Sequence, residues 1–321
     1  IGTMIAMSSN SWISMWIGLE INLLSIVPLM SNLKNKMESE AAMKYFITQA
    51  MASTILILAI IIMLSDNNML TALKTPSLIL DLAILMKMGA APLHFWFPEV
   101  MEGLSWINST IMLTWQKLAP MTIFMYSNKS MMFTASIIIS SMLISGLMGF
   151  NQNSLRKILT YSSINHIGWM ISTTLTNQTI WIIYFMIYSM MTTVITLTLK
   201  LMNISFTSQL VSSMKHHKSM KILFFMNFMS LGGLPPFVGF FPKWIIINAL
   251  IEKTMLMLAT TMILSTLLIL IMYLRMTFNA MIIETAEPSA VDNNKMNYKI
   301  MLMNFTMLSM LIVSPLMIGF I

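Results

Sequence analysis

Long apolar segments separated by short polar links dominate the sequence. After an apolar start at residues 1–7, apolar runs cover residues 12–31, 41–64, 77–95, 107–126, 130–150, 155–175, 178–199, 220–250, 254–280 and 299–320. A helix needs roughly 20 residues to cross the hydrocarbon core of a bilayer, whereas membrane barrels use alternating segments of about ten residues. The pattern therefore predicts an all-α polytopic membrane protein with about 11 transmembrane helices, the first of them truncated.

Composition excludes a soluble enzyme and limits the available chemistry. Hydrophobic residues make up 57% of the 321 residues and charged residues 9%, against about 45–50% and about 25% in a soluble domain. The absence of cysteine excludes thiolate-bound iron–sulfur clusters and disulfides. Neither a dinucleotide-binding glycine motif nor a phosphate-binding loop is present. We expect no cofactor and no metal on this chain, since adjacent histidines such as His216 and His217 in a basic loop are typically solvated.

Methionine is unusually frequent, with 40 residues. The methionines are spread through the apolar runs, at positions where isoleucine or leucine would serve equally. This pattern favours a genome with the code and base composition of animal mitochondria over a dedicated methionine-rich binding surface.

Basic residues are distributed unevenly between the two ends of the predicted helices. One set of ends carries Lys34, Lys36, Lys44, Arg156, Lys157, Lys200, Lys215, Lys218, Lys221, Arg275, Lys295 and Lys299. The opposite ends carry Lys74, Lys129 and Lys253. Because basic loops stay on the side from which a membrane protein inserts, this bias predicts the N-terminus on the positive side and the C-terminus on the other. The same topology accounts for the net charge of +7 without a nucleic-acid partner.

Four ionisable residues lie inside or beside the apolar runs: Glu20, Lys87, Lys117 and Lys243. Each costs about 2.5–3.5 kcal/mol at the bilayer centre on a lenient scale, so folding must offset roughly 10 kcal/mol. Lys243 could instead snorkel to the interface, and Lys87 could neutralise Asp81, although a spacing of six residues puts the two on different helix faces. Burial lowers the pKa of a lysine and a nearby carboxylate raises it. Such a lysine can therefore exchange a proton at neutral pH when its partner moves or changes charge. We therefore predict a proton relay.

Two histidines are further candidates for the relay. His166 follows a Ser-Ser pair within one apolar run, and His94 lies among prolines in another. Imidazole titrates near neutrality and passes protons through either ring nitrogen. A buried histidine can also be no more than a hydrogen-bonded polar residue, and both interpretations stay open.

Glycine and proline interrupt two of the apolar runs in a similar way. The breaks contain Gly89 and Pro92, and then Gly232, Gly233, Pro235 and Pro236. Such breaks persist in a membrane only where they line a cavity or a polar path. Because they are about 144 residues and five predicted helices apart, they predict inverted repeats like those of secondary transporters. We expect one membrane domain over residues 1–321, with repeats at about 1–126 and 130–280 and a closing helix at 299–320.

Five strings carry a resemblance to a known family. They are GLEINLL at 18–24, APLHFWFPE at 91–99, TWQKLAP at 114–120, LRKILTYSS at 155–163 and LGGLPP at 231–236. Jointly they resemble the mitochondrially encoded chain 2 family of NADH:ubiquinone oxidoreductase, respiratory complex I, along essentially the whole chain. That family is antiporter-like and related to Mrp-type cation/proton antiporter subunits, and the helix count of its animal members matches the apolar runs.

The resemblance implies a role for each intramembrane residue. Glu20 would be the acidic partner, Lys87 and Lys243 the lysines of the first and second broken helices, and Lys117 the central relay lysine. His166 would occupy the position of the family's histidine. The protein would translocate protons across the mitochondrial inner membrane, with its N-terminus in the matrix and its C-terminus in the intermembrane space.

The resemblance also implies where the redox chemistry and the partners lie. NADH, FMN, iron–sulfur clusters and ubiquinone would be bound by other subunits. Partners would be other membrane-arm subunits, including a neighbouring antiporter-like subunit, and membrane lipids. Two alternatives stay open. One is a structural spacer of the same complex without its own proton path. The other is a stand-alone cation/proton antiporter, which the repeats permit but the mitochondrial composition disfavours.

Overall fold

The described part of the protein is helical. A computed structural model describes residues 1–32, 35–65, 74–127, 130–213, 218–282 and 305. Over these ranges the β contact is an isolated bridge between Ser154 and Phe206. The predicted closing helix at 299–320, apart from Phe305, and the His216–His217 pair lie outside the described residues.

Fourteen helices follow one another in the described ranges. They are α1 (Gly2–Ser8), α2 (Trp12–Met30), α3 (Lys36–Ser65), α4 (Lys74–Met88), α5 (Trp96–Gly103), α6 (Trp106–Leu113), α7 (Trp115–Tyr126), α8 (Met131–Gly149), α9 (Leu155–Leu175), α10 (Gln178–Met202), α11 (Thr207–Ser213), α12 (Lys218–Gly232), α13 (Phe240–Glu252) and α14 (Leu256–Ile282). Of these, α2, α3, α8, α10 and α14 are long and apolar enough to cross a membrane by themselves. The all-helical apolar fold is therefore confirmed.

Two predicted breaks separate helix pairs. Gly89 lies at φ +73° between α4 and α5, and Gly233 lies at φ +76° between α12 and α13. This left-handed region is open to glycine without steric cost, so each first helix can end there and the chain can turn. The pair α12–α13 covers the apolar run 220–250, whereas the run 77–95 covers α4 and the turn after it, and α5 begins beyond that run.

A third break, between α6 and α7, differs from the continuous helix predicted over 107–126. Thr114 separates the two helices, and Pro120 lies inside α7. Proline lacks the N–H that would bond to the carbonyl of Gln116, and its ring crowds that carbonyl. The Thr114 hydroxyl also donates to Thr110 O at 2.7 Å, a contact that often bends helices. Lys117 consequently lies in the first turn of a separate helix.

The helix α9 occupies the centre of the fold. Residues 162–173 are all buried, and α9 contacts α5, α8, α10, α13 and α14. At its start, Lys157 Nζ lies 2.6 Å from Glu102 Oε2 at the end of α5. At its other end, Lys253 Nζ donates to Leu175 O and Thr176 O at 2.8 and 3.0 Å. The second halves of the two broken helices therefore reach opposite ends of α9.

Candidate functional site

Glu20 and Lys87 form an ion pair between α2 and the end of α4. Lys87 Nζ lies 3.6 Å from Glu20 Oε1, with 3% of the lysine side chain and 25% of the glutamate side chain exposed. The pair joins residues that are far apart in sequence and that the resemblance assigns to one another. Because a carboxylate stands beside it, the Lys87 charge has a partner in the apolar interior.

The backbone at the first break is held by side chains from elsewhere. Because α4 ends before Gly89, its last carbonyls lack the N–H donors of a next helical turn, although Met86 O still accepts a bond from Gly89 N at 3.2 Å. Trp96 Nε1 donates to Met86 O at 3.1 Å, and Gln49 Nε2 donates to Lys87 O at 3.4 Å. These bonds replace the lost helical ones and keep the end of α4, with Lys87, in a defined position.

Lys117 lies in the interior among neutral groups. It is 3% exposed, and its Nζ donates to Tyr188 Oη at 3.1 Å and to Ser163 O at 3.4 Å. The same atom lies 4.9 Å from the centre of the Tyr188 ring and 5.6 Å from that of Phe97. Ring faces and lone pairs stabilise an ammonium ion, and within the described ranges no carboxylate forms an ion pair with Lys117.

His166 lies beside the Lys117 site, across Tyr188. Its Nδ1 is 2.8 Å from Tyr184 Oη, and its ring centre is 4.8 Å from that of Tyr188. Tyr188 therefore contacts both Lys117 and His166. Sequence reasoning missed the two tyrosines, although their spacing of four residues within the apolar run 178–199 puts them on one helix face. Buried tyrosine hydroxyls normally need a partner, which was the available signal.

Lys243 points towards the second break. Its Nζ donates to Gly232 O at 2.8 Å and to Leu231 O at 3.4 Å. The same nitrogen lies 5.9 Å from the centre of the Trp169 ring on α9. The side chain is buried, so the snorkelling alternative does not describe it. The carbonyls that the break frees from helical bonding are the acceptors that hold the ammonium group.

Gly233 allows this close approach at the second break. A Cβ atom on Gly233 would lie 2.7 Å from Lys243 Nζ, whereas one on Gly232 would meet its nearest neighbour at 3.4 Å. Pro235 and Pro236 lie in the turn that follows.

His94 stays apart from the lysines. It lies with Pro92 in the turn between α4 and α5 and is buried. Its Nδ1 is 3.2 Å from Pro92 O, and its ring lies against Phe95 and the edge of Tyr161. These contacts fit a histidine that stabilises the turn. Across the described ranges, no three acidic or histidine side chains come together in a group that could hold a metal ion.

An amide pair connects the two helices that carry Glu20 and Lys117. Asn22 Nδ2 donates to Gln116 Oε1 at 2.8 Å, and Gln116 Nε2 donates to Asn22 Oδ1 at 3.4 Å. Each residue is close in sequence to an ionisable residue, so the bridge fixes α7 against α2 beside the site. The four ionisable residues predicted within the membrane thus lie in three places. Glu20 and Lys87 form a pair, Lys117 lies beside Tyr188 and His166, and Lys243 lies at the second break.

Comparison with known proteins identifies the family. Residues 9–271 match the family described as NADH:quinone oxidoreductase/Mrp antiporter, TM. The chain belongs to this family. It is 45% identical over 301 residues to NADH-ubiquinone oxidoreductase chain 2 of Anopheles gambiae, covering 93% of this chain and 88% of the relative. It is 41% identical over 325 residues to the protein of that name from Equus asinus, covering 98% and 92%.

Two solved structures share the fold at low sequence identity. A chain of respiratory complex I from Thermus thermophilus superposes with a TM-score of 0.84 at 20% identity, over 99% of this chain and 77% of that one. A chain of the Mrp complex from Dietzia superposes with a TM-score of 0.75 at 17% identity, over 93% and 61%. The antiporter-like fold is therefore common to this chain and to both membrane complexes.

Proposed function

We propose that this chain is a core membrane-arm subunit of mitochondrial NADH:ubiquinone oxidoreductase and moves protons through Glu20, Lys87, Lys117 and Lys243. NADH oxidation and quinone reduction would take place on other subunits. The environment of Lys117 carries the proposal, because a buried lysine is costly in a membrane and this one is held by a hydroxyl, a carbonyl and two rings. The names of the insect and mammalian relatives agree with it.

The relay runs from the ion pair to the second break. Lys87 holds a proton beside Glu20. A change of charge along the membrane arm weakens that pair and drives a proton to Lys117, from which it leaves by way of Lys243. Moving one charge against the membrane potential takes about 2.3 kcal/mol per 100 mV. A change of about two units in the pKa of a carrier supplies ~2.7 kcal/mol, which is sufficient.

His166 and its tyrosine neighbours connect the last two lysines in this scheme. Tyr188 Oη accepts a hydrogen bond from Lys117 Nζ, and a phenol can accept and donate at once. His166 contacts Tyr188 and lies three residues from Trp169, which faces Lys243. A spacing of three residues puts neighbours on one helix face, so we assign His166 to the passage towards Lys243. His94 has no part in this passage.

The architecture that we propose consists of two inverted repeats, at about 1–126 and 130–280, and a closing helix at 299–320. Together they form one domain with about 11 transmembrane helices. The nearly equal φ angles of the glycines at the two breaks support a repeat, and the halves α5 and α13, which reach opposite ends of α9, support its inversion. The basic residues then place the N-terminus in the matrix and the C-terminus in the intermembrane space.

The remaining parts of the proposal concern what the chain binds. It carries no redox cofactor, and NADH, FMN, iron–sulfur clusters and ubiquinone are bound by other subunits. Its partners are the adjacent membrane-arm subunits, including another antiporter-like one, and membrane lipids.

A Lys117→Ala variant of the assembled complex tests the relay. In liposomes, we expect this variant to oxidise NADH but to translocate fewer protons per NADH than the parent enzyme. The exposed lysine Lys200 provides the matched control, and Lys200→Ala should leave the ratio unchanged. If Lys117→Ala impairs assembly, Lys117→Met restores side-chain volume and allows the same measurement.

Each other outcome contradicts the proposal. An unchanged proton ratio in an assembled Lys117→Ala complex shows that protons cross elsewhere, as a structural spacer requires. If both Lys117 variants lose assembly and the complex that remains has an unchanged proton ratio, the result also supports a structural spacer. Purification of the chain as a free carrier, outside any large complex, supports the stand-alone antiporter.

A further inference from the structure

A second polar site lies away from the proton-relay residues, at one end of α14. It is a cavity of about 370 Å³. Its walls come from the link between α8 and α9, the start of α11 and one face of α14. Asn153, Thr207 and Ser208 contribute polar groups to it, and Arg275 contributes a charge. None of the relay residues lines this cavity.

Arg275 is positioned in this cavity by an aromatic ring. Its guanidinium carbon lies 5.3 Å from the centre of the Phe150 ring, a cation–π contact that keeps the charge beside the ring. In the described part of the chain no carboxylate forms an ion pair with it. Guanidinium presents several N–H donors in a fork that matches phosphate oxygens. An oriented cation with amide and hydroxyl neighbours is therefore suited to a phosphate or a similar anion.

The position of the cavity along α14 and its apolar wall favour a lipid over a free anion. The apolar stretch of α14 covers Leu256–Phe278, so Arg275 lies within its last turn, at the boundary between hydrocarbon and water. Phe150, which is 40% exposed, and the half-buried Met276 present apolar surface in the wall. A free phosphate would gain nothing from these side chains, whereas the glycerol and upper acyl segments of a phospholipid would cover them.

The charge distribution also favours an anionic lipid. Arg275 lies at the set of helix ends that carries most of the basic residues. Basic pockets on that side of membrane proteins attract acidic headgroups. We propose that this cavity binds the phosphate headgroup of an anionic phospholipid, with the Arg275 guanidinium on the phosphate and the lipid's glycerol region against Phe150 and Met276.

Photolabelling of the isolated complex tests this site. The complex is exchanged into vesicles of phosphatidylcholine that contain a photoactivatable phosphatidylglycerol, and labelled peptides are mapped. We expect labelling of the segments around Phe150 and Met272. An Arg275→Gln variant should reduce that labelling roughly ten-fold, since it removes a charge-assisted contact. The matched control Lys200→Gln, which removes a charge elsewhere, should leave it unchanged.

A second variant keeps the test decisive if Arg275→Gln impairs assembly. Ser208 is an exposed residue of the cavity wall, and Ser208→Asp adds a negative charge without touching the arginine. It should also reduce labelling by phosphatidylglycerol, and more at low salt than at high salt because charge repulsion is screened.

Other results overturn the proposal. Equal labelling by a photoactivatable phosphatidylcholine shows that the headgroup charge is not recognised. Labelling that persists in both variants shows that Arg275 does not hold the phosphate. Displacement of the lipid label by millimolar inorganic phosphate indicates a site for a free anion, and a crosslink from the cavity to a neighbouring subunit indicates a protein contact instead.

Discussion

Replacement of Glu20 by glutamine removes the counter-charge of Lys87 while keeping the shape of the side chain. The two charges are 3.6 Å apart, which corresponds to an attraction of ~4.6 kcal/mol at an effective dielectric constant of about 20. A lysine at the bilayer centre costs about 2.5–3.5 kcal/mol. The ion pair is therefore large enough to offset the burial of Lys87, and its loss leaves that cost without compensation.

The expected order of stabilities follows from the burial of the two partners. Glu20→Gln leaves a nearly inaccessible lysine alone and should destabilise most. Lys87→Met leaves a carboxylate that is a quarter exposed and should destabilise less. The double variant removes both charges and should recover most of the lost stability, because replacing both members of a buried pair is often neutral whereas breaking one costs about 3–5 kcal/mol. Proton translocation should be impaired in all three.

The assay combines stability with transport. The fraction of intact complex after graded heating reports stability, and the proton-to-NADH ratio in liposomes reports transport. The control is Glu40→Gln, which breaks an exposed pair with Lys44 and should cost at most about 1 kcal/mol. A double variant as unstable as Glu20→Gln would refute the compensation argument, and a Glu20→Gln complex with a normal proton ratio would refute the role of the pair in the relay.

Two smaller substitutions probe the other lysines. Tyr188→Phe removes the hydroxyl bonded to Lys117 but keeps the ring. Because one hydrogen bond in a membrane protein is worth about 0.6–1.7 kcal/mol, we expect proton translocation in the assembled complex to slow about three- to eighteen-fold. An unchanged rate would exclude the hydroxyl from the path. Gly233→Ala places a methyl group 2.7 Å from Lys243 Nζ at a positive φ angle, so it should lower the translocation rate sharply. Gly232→Ala, whose methyl group has room, should behave like the parent, and equal rates for the two alanine variants would contradict the close-approach argument.

The sequence alone was enough to find the intramembrane charges and two of the helix breaks. Glu20, Lys87 and Lys117 are conspicuous because a charge within a long apolar run is costly wherever the helix lies. Glycine and proline likewise alter the backbone through their own chemistry, whatever surrounds them. These signals do not depend on neighbouring helices, so the charges and the breaks can be predicted from the sequence alone.

Contacts between helices could not be predicted in the same way. Tyr188 meets Lys117 across 71 residues of sequence, and Asn22 meets Gln116 across 94. Which side chains meet depends on the rotation and tilt of each helix, which spacing does not determine. The break at Thr114 has a local cause, in Pro120 and in the side-chain bond from Thr114 to Thr110 O, but an apolar run by itself does not indicate it. The direction of Lys243, towards the second break, depends on carbonyls that only the folded break makes available.

The composition of α9 explains how one helix can contact both Lys117 and the surroundings of Lys243, at the two ends of the proposed relay. Its hydroxyls bond to carbonyls of the preceding turn, as Ser162 does to Leu159 O at 2.8 Å and Thr173 does to Met170 O at 2.6 Å, so the helix can be polar and still be buried. In one turn of α9, Ser163 O accepts a hydrogen bond from Lys117, and about two turns later the Trp169 ring lies against Lys243. A shift of α9 along its axis would alter both lysine environments together, whereas substitutions on its neighbours would alter one at a time. A movement of this one shared helix would therefore be sufficient to couple the two lysines.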